Sequence, residues 1–219
     1  MARSDLERRA RRFAETVQHL LNSTVADHVN VQAAATSDAG VFSVGPGLSA
    51  RNPRARPVKM RTADPTVPVF LDVFFMLSLD TEGEFLTVRS SSFGVRGAPD
   101  EAQAWFHYDY ERDKAGYAEA HLQIVGRHEK LERAMSTLSR RRKRKGLGDM
   151  HFPVGGRRFR PALEDVIESL IEEELVEPKE GWEKELERSR REFRDIQLRA
   201  AIRRAPDVAG QALADLARR

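Results

Sequence analysis

The sequence predicts an α+β protein: an antiparallel meander sheet of about five strands, an N-terminal helix and a helical C-terminal part. An amphipathic stripe opens the chain, short apolar segments broken by turn residues fill its middle, and helical apolar spacing returns after residue 161. The 219 residues are enough to bury a substantial core. We divide them into a core domain over 1–176 and a C-terminal helical extension over 177–219, packed on that core.

The helices are predicted from apolar residues that recur every three or four positions. The first spans about residues 4–21 and carries acids in its first turn, where the helix dipole favours them. A second stripe over 163–175 follows Pro161, a good residue for a first helical turn. A longer helix covers about 181–204, and Pro206 opens a last short helix.

The strands are predicted from short apolar runs. Residues 69–79 form a central strand whose two alternating sets of side chains are largely apolar, so both faces should be covered. Residues 85–92 return beside it, and a second hairpin joins 105–110 to 118–125. Residues 36–68 predict a short strand followed by a long basic loop rich in proline.

Composition and apolar patterning limit the cellular compartments in which this protein is expected to work. The chain has no cysteine, which excludes disulfides and thiolate metal sites. Its longest apolar stretch, VPVFLDVFFMLSL, is shorter than the roughly 20 residues that a membrane helix needs. The N-terminus lacks the continuous apolar core of a secretion signal. We therefore expect a cytoplasmic protein with no membrane partner.

The second hairpin gathers acid–base groups on one face. If its apolar residues face the core, a loop centred near Ala115 places Asp109 across from His121, and His107 across from Gln123. An aspartate beside a histidine fixes the imidazole tautomer, as general acid–base catalysis requires. The alternative is the ordinary solvent-facing side of a half-buried hairpin.

A polyanion site is predicted from clustered cations. Residues 129–160 carry eleven Lys or Arg against three Asp or Glu, whereas 161–195 carry thirteen acids against six bases. Phosphate-binding candidates are a basic run at a helix end and three arginines after a glycine pair: Arg140, Arg141, Arg142, Lys143, Arg144, Lys145, Arg157, Arg158 and Arg160. The alternatives are a solvated helix end and a simple turn.

Several specific motifs are missing from the sequence. It has no GxGxxG after a strand, no GxxxxGK[ST] and no GxSxG elbow, so no nucleotide cofactor is predicted. The histidine spacings match no zinc pattern, and we assign no metal ligands, although a site assembled from scattered His, Asp and Glu stays open.

HYDY at 107–110, AHLQI at 120–124 and RFRPALEDVI at 158–167 together resemble small TumE-like toxin proteins and uncharacterised proteins encoded beside bacterial defence systems. The resemblance covers about residues 105–175. It implies a bacterial stress or defence setting with RNA as the target.

Two functions follow as hypotheses. The first is an RNA-directed protein that acts as a metal-independent ribonuclease. His121, oriented by Asp109, would be the base and His107 or His151 the acid, with Arg157 and Arg158 as phosphate clamps. The second is a non-catalytic interaction or regulatory protein that binds nucleic acid through the basic run. It would bind a partner protein, or a second copy, through the helix at 181–204.

Overall fold

The computed structural model describes residues 2–49, 51–131, 147–155 and 160–218. The elements are α1 (Ala2–Thr24), β1 (Val31–Ala35), β2 (Phe42–Pro46), β3 (Val58–Lys59), β4 (Phe70–Leu79), β5 (Leu86–Arg96), β6 (Phe106–Glu111), β7 (Ala120–Ile124), a 3₁₀ turn (Leu147–Asp149), β8 (Phe152–Pro153), α2 (Leu163–Glu172), α3 (Trp182–Arg204) and α4 (Pro206–Ala217). The predicted α+β class is confirmed.

One antiparallel sheet holds the strands in the order β1-β2-β4-β5-β6-β7-β8, with β3 also paired to β4. This is the predicted meander, but the described residues contain eight strands instead of about five. The additional strands β1, β3 and β8 are short, and β1 reads VQAAA, in which three alanines carry no strand signal. They form because their neighbours in the sheet supply hydrogen-bonding edges.

Helix α1 covers one face of the sheet. Its apolar stripe is buried, with Leu6, Ala10 and Leu21 at 2% exposure or less. The same core includes residues of β2, β4 and β5, and also α2 and the start of α3, where Leu186 is 1% exposed. The helices at the two ends of the chain therefore cover the same side of the sheet.

The central strand β4 separates two unlike faces. Leu71, Val73, Phe75 and Leu77 are buried beneath the helices, whereas the alternating residues are only half-buried. Among the described residues no helix packs on the second face, so the expected cover is found on the first face only. On β5, Arg89 is skipped in the pairing with β4, and this irregularity keeps both Val88 and Ser91 on the covered face.

The first half of α3 is anchored and its second half is exposed. Arg190 donates to Glu168 and Asp165 of α2, and His19 of α1 lies 3.2 Å from Glu185. Beyond residue 195 the helix exposes large apolar side chains, and α4 buries none of its residues. Among the described residues, no helix combines the length and the apolar character needed to cross a membrane.

Candidate active site: a polar cleft on the open face of the sheet

The face that α1, α2 and α3 leave open carries two cross-strand rows of mostly polar residues. Register pairs Asp72 with Gly94, Gly94 with His107, and His107 with Gln123. The neighbouring row joins Ser92 to Asp109, Asp109 to His121, and His121 to Pro153. Residues of both rows line a cleft of about 690 Å³: Asp72, Ser92, Gly94, His107, Asp109 and Gln123. We call it the polar cleft.

His107 is held at the centre of the polar cleft in a defined tautomer. Its Nε2 lies 2.9 Å from Gln123 Oε1 and 3.4 Å from Asp109 Oδ2. The Gln123 amide is oriented in turn, because its Nε2 donates to the carbonyl of Gly148 at 2.9 Å. Since both neighbours of His107 Nε2 are acceptors, that nitrogen carries the proton. The neutral ring then has its lone pair on Nδ1, the atom able to accept a proton.

Asp109 is one of three acids that line the polar cleft, together with Asp72 and Asp149. Its Oδ2 faces His107, while its Oδ1 is buried and has no hydrogen-bond partner among the described residues. A carboxylate with one unmatched buried oxygen is costly to desolvate unless a cation or a donor approaches it. A protonated His107, or a hydroxyl of a bound molecule, would satisfy Asp109.

A fixed guanidinium, that of Arg96, also lines the polar cleft. Arg96 donates from Nε to Asp72 Oδ2 at 3.0 Å, with a second donation from Nη2, and its Nη1 bonds the carbonyl of Glu101. Gly94 makes room for this pair, since a Cβ there would lie 2.8 Å from Asp72 Oδ2. Arg127 also lines the polar cleft. Arg96 is thus held in a fixed position, and Asp72 balances its charge.

Three aromatic rings pack beside the cleft at the β7–β8 edge. The rings of His121 and His151 are 4.5 Å apart, and Tyr117 lies 4.9 Å from the first and 4.2 Å from the second. His121 is only 3% exposed, and its Nδ1 donates to Ala118 O at 3.1 Å. We call this set the aromatic cluster.

A lysine borders the aromatic cluster. The ammonium of Lys114 lies 5.2 Å from the centre of the Tyr117 ring and bonds Glu111 at 2.6 Å. The Glu111 carboxylate, followed by the Tyr117 hydroxyl, raises the pKa of Lys114 above its ordinary value. Lys114 is therefore a permanent cation beside the two histidines.

The register predicted for the second hairpin is confirmed: Asp109 pairs with His121, and His107 with Gln123. The side chains connect differently from the expected Asp109–His121 couple, because Asp109 contacts His107 and His121 bonds a backbone carbonyl. His151 joins His121 on the same face. Three of the predicted site residues thus lie in two adjacent rows, and His151 packs against one of them.

The predicted phosphate-binding residues divide differently. Arg140, Arg141, Arg142, Lys143, Arg144, Lys145, Arg157 and Arg158 lie outside the described residues. Arg160 is described, and its guanidinium stacks 4.2 Å over the ring of Tyr110, on the helix-covered face. Arg160 is therefore on the opposite side of the sheet from His107.

Sequence reasoning missed Asp72, Ser92 and Arg96. One signal was available, since Asp72 is the only charged residue in an otherwise apolar strand. Its alternation places it on the face opposite to Leu71 and Val73, which indicates a polar partner there. Arg96 carried no comparable signal, because its partner lies 24 residues away in sequence and was set by strand register.

Among the described residues, no group of three His, Asp or Glu side chains has the arrangement to hold a metal ion. Comparisons of the chain with protein-family models, with curated proteins and with solved structures find no match.

Proposed function

We propose that this protein is a metal-independent ribonuclease of bacterial toxin or defence type, and that the polar cleft binds the scissile phosphodiester of RNA. One observation carries the proposal. His107 is fixed between Gln123 and Asp109 in the polar cleft, whose lining also contains Arg96 and Arg127.

The cleavage step needs a base, an acid and a cation. In the proposed reaction, Nδ1 of His107 takes the proton of the ribose 2′-hydroxyl as its oxygen bonds to phosphorus. Asp109 stabilises the resulting imidazolium, and Arg96 stabilises the charge that develops on the phosphorane. The bond to the 5′-oxygen breaks, and His151 donates the proton to that leaving oxygen. The products are a 2′,3′-cyclic phosphate and a free 5′-hydroxyl.

This assignment moves the base from His121 to His107. His121 is almost fully buried, and its ring packs against the rings of Tyr117 and His151. It therefore cannot contact a nucleotide directly. We assign His121 as a positioning residue that holds the His151 ring. Arg157, Arg158 and the run 140–145 stay proposed as phosphate contacts outside the described residues.

The test is cleavage of a single-stranded RNA of mixed sequence in the presence of EDTA. His107→Ala should lower the rate by about 10²- to 10⁴-fold, the usual contribution of a general base. His19→Ala is the matched control, because His19 is an exposed histidine on α1, away from the cleft. The same oligomer with 2′-deoxyribose should resist cleavage. Equal rates for wild type and His107→Ala, or no cleavage by the wild type, would contradict the proposal.

A second candidate is a non-catalytic regulatory protein that binds nucleic acid and a partner protein. It is favoured by α4, where Val208, Leu213 and Leu216 are each 65–68% exposed. Large apolar side chains in such number on one short helix are typical of an interaction surface. This candidate predicts salt-sensitive RNA binding without cleavage, and Leu213→Glu should abolish partner binding while RNA binding persists.

A further inference from the structure

A second cavity, of about 600 Å³, lies on the helix-covered side of the sheet. Its walls come from α1, β4, β5 and the first turns of α2, and from the middle of α3. On β5, Ser91 and Phe93 line this cavity, whereas Ser92 and Gly94 line the polar cleft. The two sites therefore lie on opposite faces of one strand, and we call the second one the apolar cavity.

The interior of the apolar cavity is mostly hydrocarbon, although the buried polar side chains of Ser91, Ser189 and Glu164 also line it. Phe13, Phe75 and Phe93 form an edge-to-face series, with ring centres 4.9 and 5.4 Å apart. Val17, Leu20, Leu86, Val88, Leu163, Phe193 and Ile196 complete the apolar lining. Because the three rings hold one another in place, the wall cannot readily collapse into the empty volume.

Four arginines line the mouth of the apolar cavity, and they differ in whether their guanidinium groups already have a partner. Arg9 is paired with Asp5, and Arg160 stacks on Tyr110. Arg12 and Arg199 also line the mouth, and neither has an acidic partner among the described residues. Two unpaired cations next to a hydrocarbon interior favour an amphipathic molecule with a negative head.

Three acids also line the apolar cavity, and one of them is paired with a cation. Glu164 accepts a hydrogen bond from the buried Ser189, and Glu192 is bound by Arg188 at 2.8 Å. Glu164 has no cationic partner and Asp195 has no partner among the described residues, so both carboxylates would oppose an anion. Asp195 is the exposed one of the two, and its removal gives the charge argument a direct test.

From the volume, the lining and the mouth, we infer that the apolar cavity binds an acyl carboxylate, with its chain against the three phenylalanines and its head on Arg12 and Arg199. The volume lies within the roughly 300–1,000 Å³ of small-molecule sites. A planar guanidinium matches a carboxylate with two parallel hydrogen bonds. The inference is independent of the proposed ribonuclease function.

The experiment is calorimetric titration of the full chain with decanoate, and with decyltrimethylammonium as a cation of equal chain length. Decanoate should bind and the cation should not. Arg12→Glu and Arg199→Glu should each weaken decanoate binding by about tenfold or more, because a charge-assisted contact becomes repulsive. Arg11→Glu is the matched control, since Arg11 is on the same helix, is paired with Glu7 and does not line the cavity. It should leave binding unchanged.

Two further variants separate the charge from the volume. Asp195→Asn should tighten decanoate binding by about threefold, because it removes a repulsive charge. Thr16→Trp places an indole into the mouth from an exposed position of α1, so it should block decanoate while preserving the fold and RNA cleavage. Equal binding of the two amphiphiles, no binding of decanoate, or unchanged binding in Thr16→Trp would overturn the inference.

Discussion

The two faces of the sheet are made by the same strands but are stabilised differently. On β4 and β5, most side chains beneath α1 are buried, whereas the half-buried side chains of the open face include Asp72, Arg96 and Ser92. Packing against helices fixes the first face through apolar contact. Cross-strand hydrogen bonds and ion pairs fix the second, through Arg96 with Asp72 and His107 with Gln123. Along each strand, a residue that stabilises the core is therefore followed by one that faces the polar cleft, because alternating side chains lie on opposite faces of the sheet.

The largest expected loss of stability comes from a substitution that creates a cavity on the covered face. Leu77 is fully buried, and Leu77→Ala should cost about 2–5 kcal/mol in the free energy of unfolding. Met76 is the matched control on the same strand, because its side chain lies on the open face and is half-buried. Met76→Ala should cost less than half as much. Denaturant unfolding monitored by Trp fluorescence measures both, and equal losses would contradict the asymmetry.

The packing of the open face is tested by adding a methyl group at Gly94. Gly94→Ala brings a methyl group against the Asp72 carboxylate and Ala104, which should cost about 1–3 kcal/mol and displace Arg96. In the proposed ribonuclease, activity should fall together with stability. Gly210→Ala is the control, since an added Cβ there meets no atom within 4 Å and alanine favours a helix. A Gly94→Ala variant as stable as wild type would show that the wall is not tightly packed.

A pH experiment tests how much the contact between α2 and α3 stabilises the helical cover. The hydrogen bond from Arg190 lowers the pKa of Glu168 below its ordinary value of 4.5. A lowered folded pKa means that the pair stabilises the fold above the unfolded pKa and that this stabilisation is lost as the pH falls through the folded pKa. Glu168→Gln should therefore lower stability by about 0.2–1 kcal/mol at neutral pH and by less below pH 4.5. Thermal unfolding at several pH values measures this, and a difference that grows in acid would refute it.

The smallest expected effect is at a tyrosine of the covered face. The hydroxyl of Tyr110 is buried without a hydrogen-bond partner among the described residues. Tyr110→Phe should leave stability unchanged or raise it by up to about 1 kcal/mol, because an unmatched polar group is removed while the ring under Arg160 stays. Tyr117→Phe on the open face should instead weaken the contact with Lys114. A clear loss of stability in Tyr110→Phe would contradict the assignment.

Periodicity predicted the long elements well. The helices at 4–21 and 181–204 and the central strand at 69–79 are found as α1, α3 and β4 within a few residues. Such elements bury regular apolar stripes, so their pattern is present in local sequence. The short strands β1, β3 and β8 lack a stripe of their own, and pairing with neighbours decides them.

In the second hairpin, local sequence determined the strand register, and tertiary structure determined the side-chain contacts. The alternation of Phe106, Tyr108 and Tyr110 with His107 and Asp109 determined which residues share a face and which pair across the strands, because side chains alternate with a period of two. Periodicity could not decide which face α1, α2 and α3 cover, or that Asp109 contacts His107 instead of His121. Those outcomes depend on where α1 and α3 pack, and on rotamers set by Gln123, Gly148 and Ala118. Contacts between residues far apart in the chain, which local sequence does not encode, set the chemistry of the polar cleft.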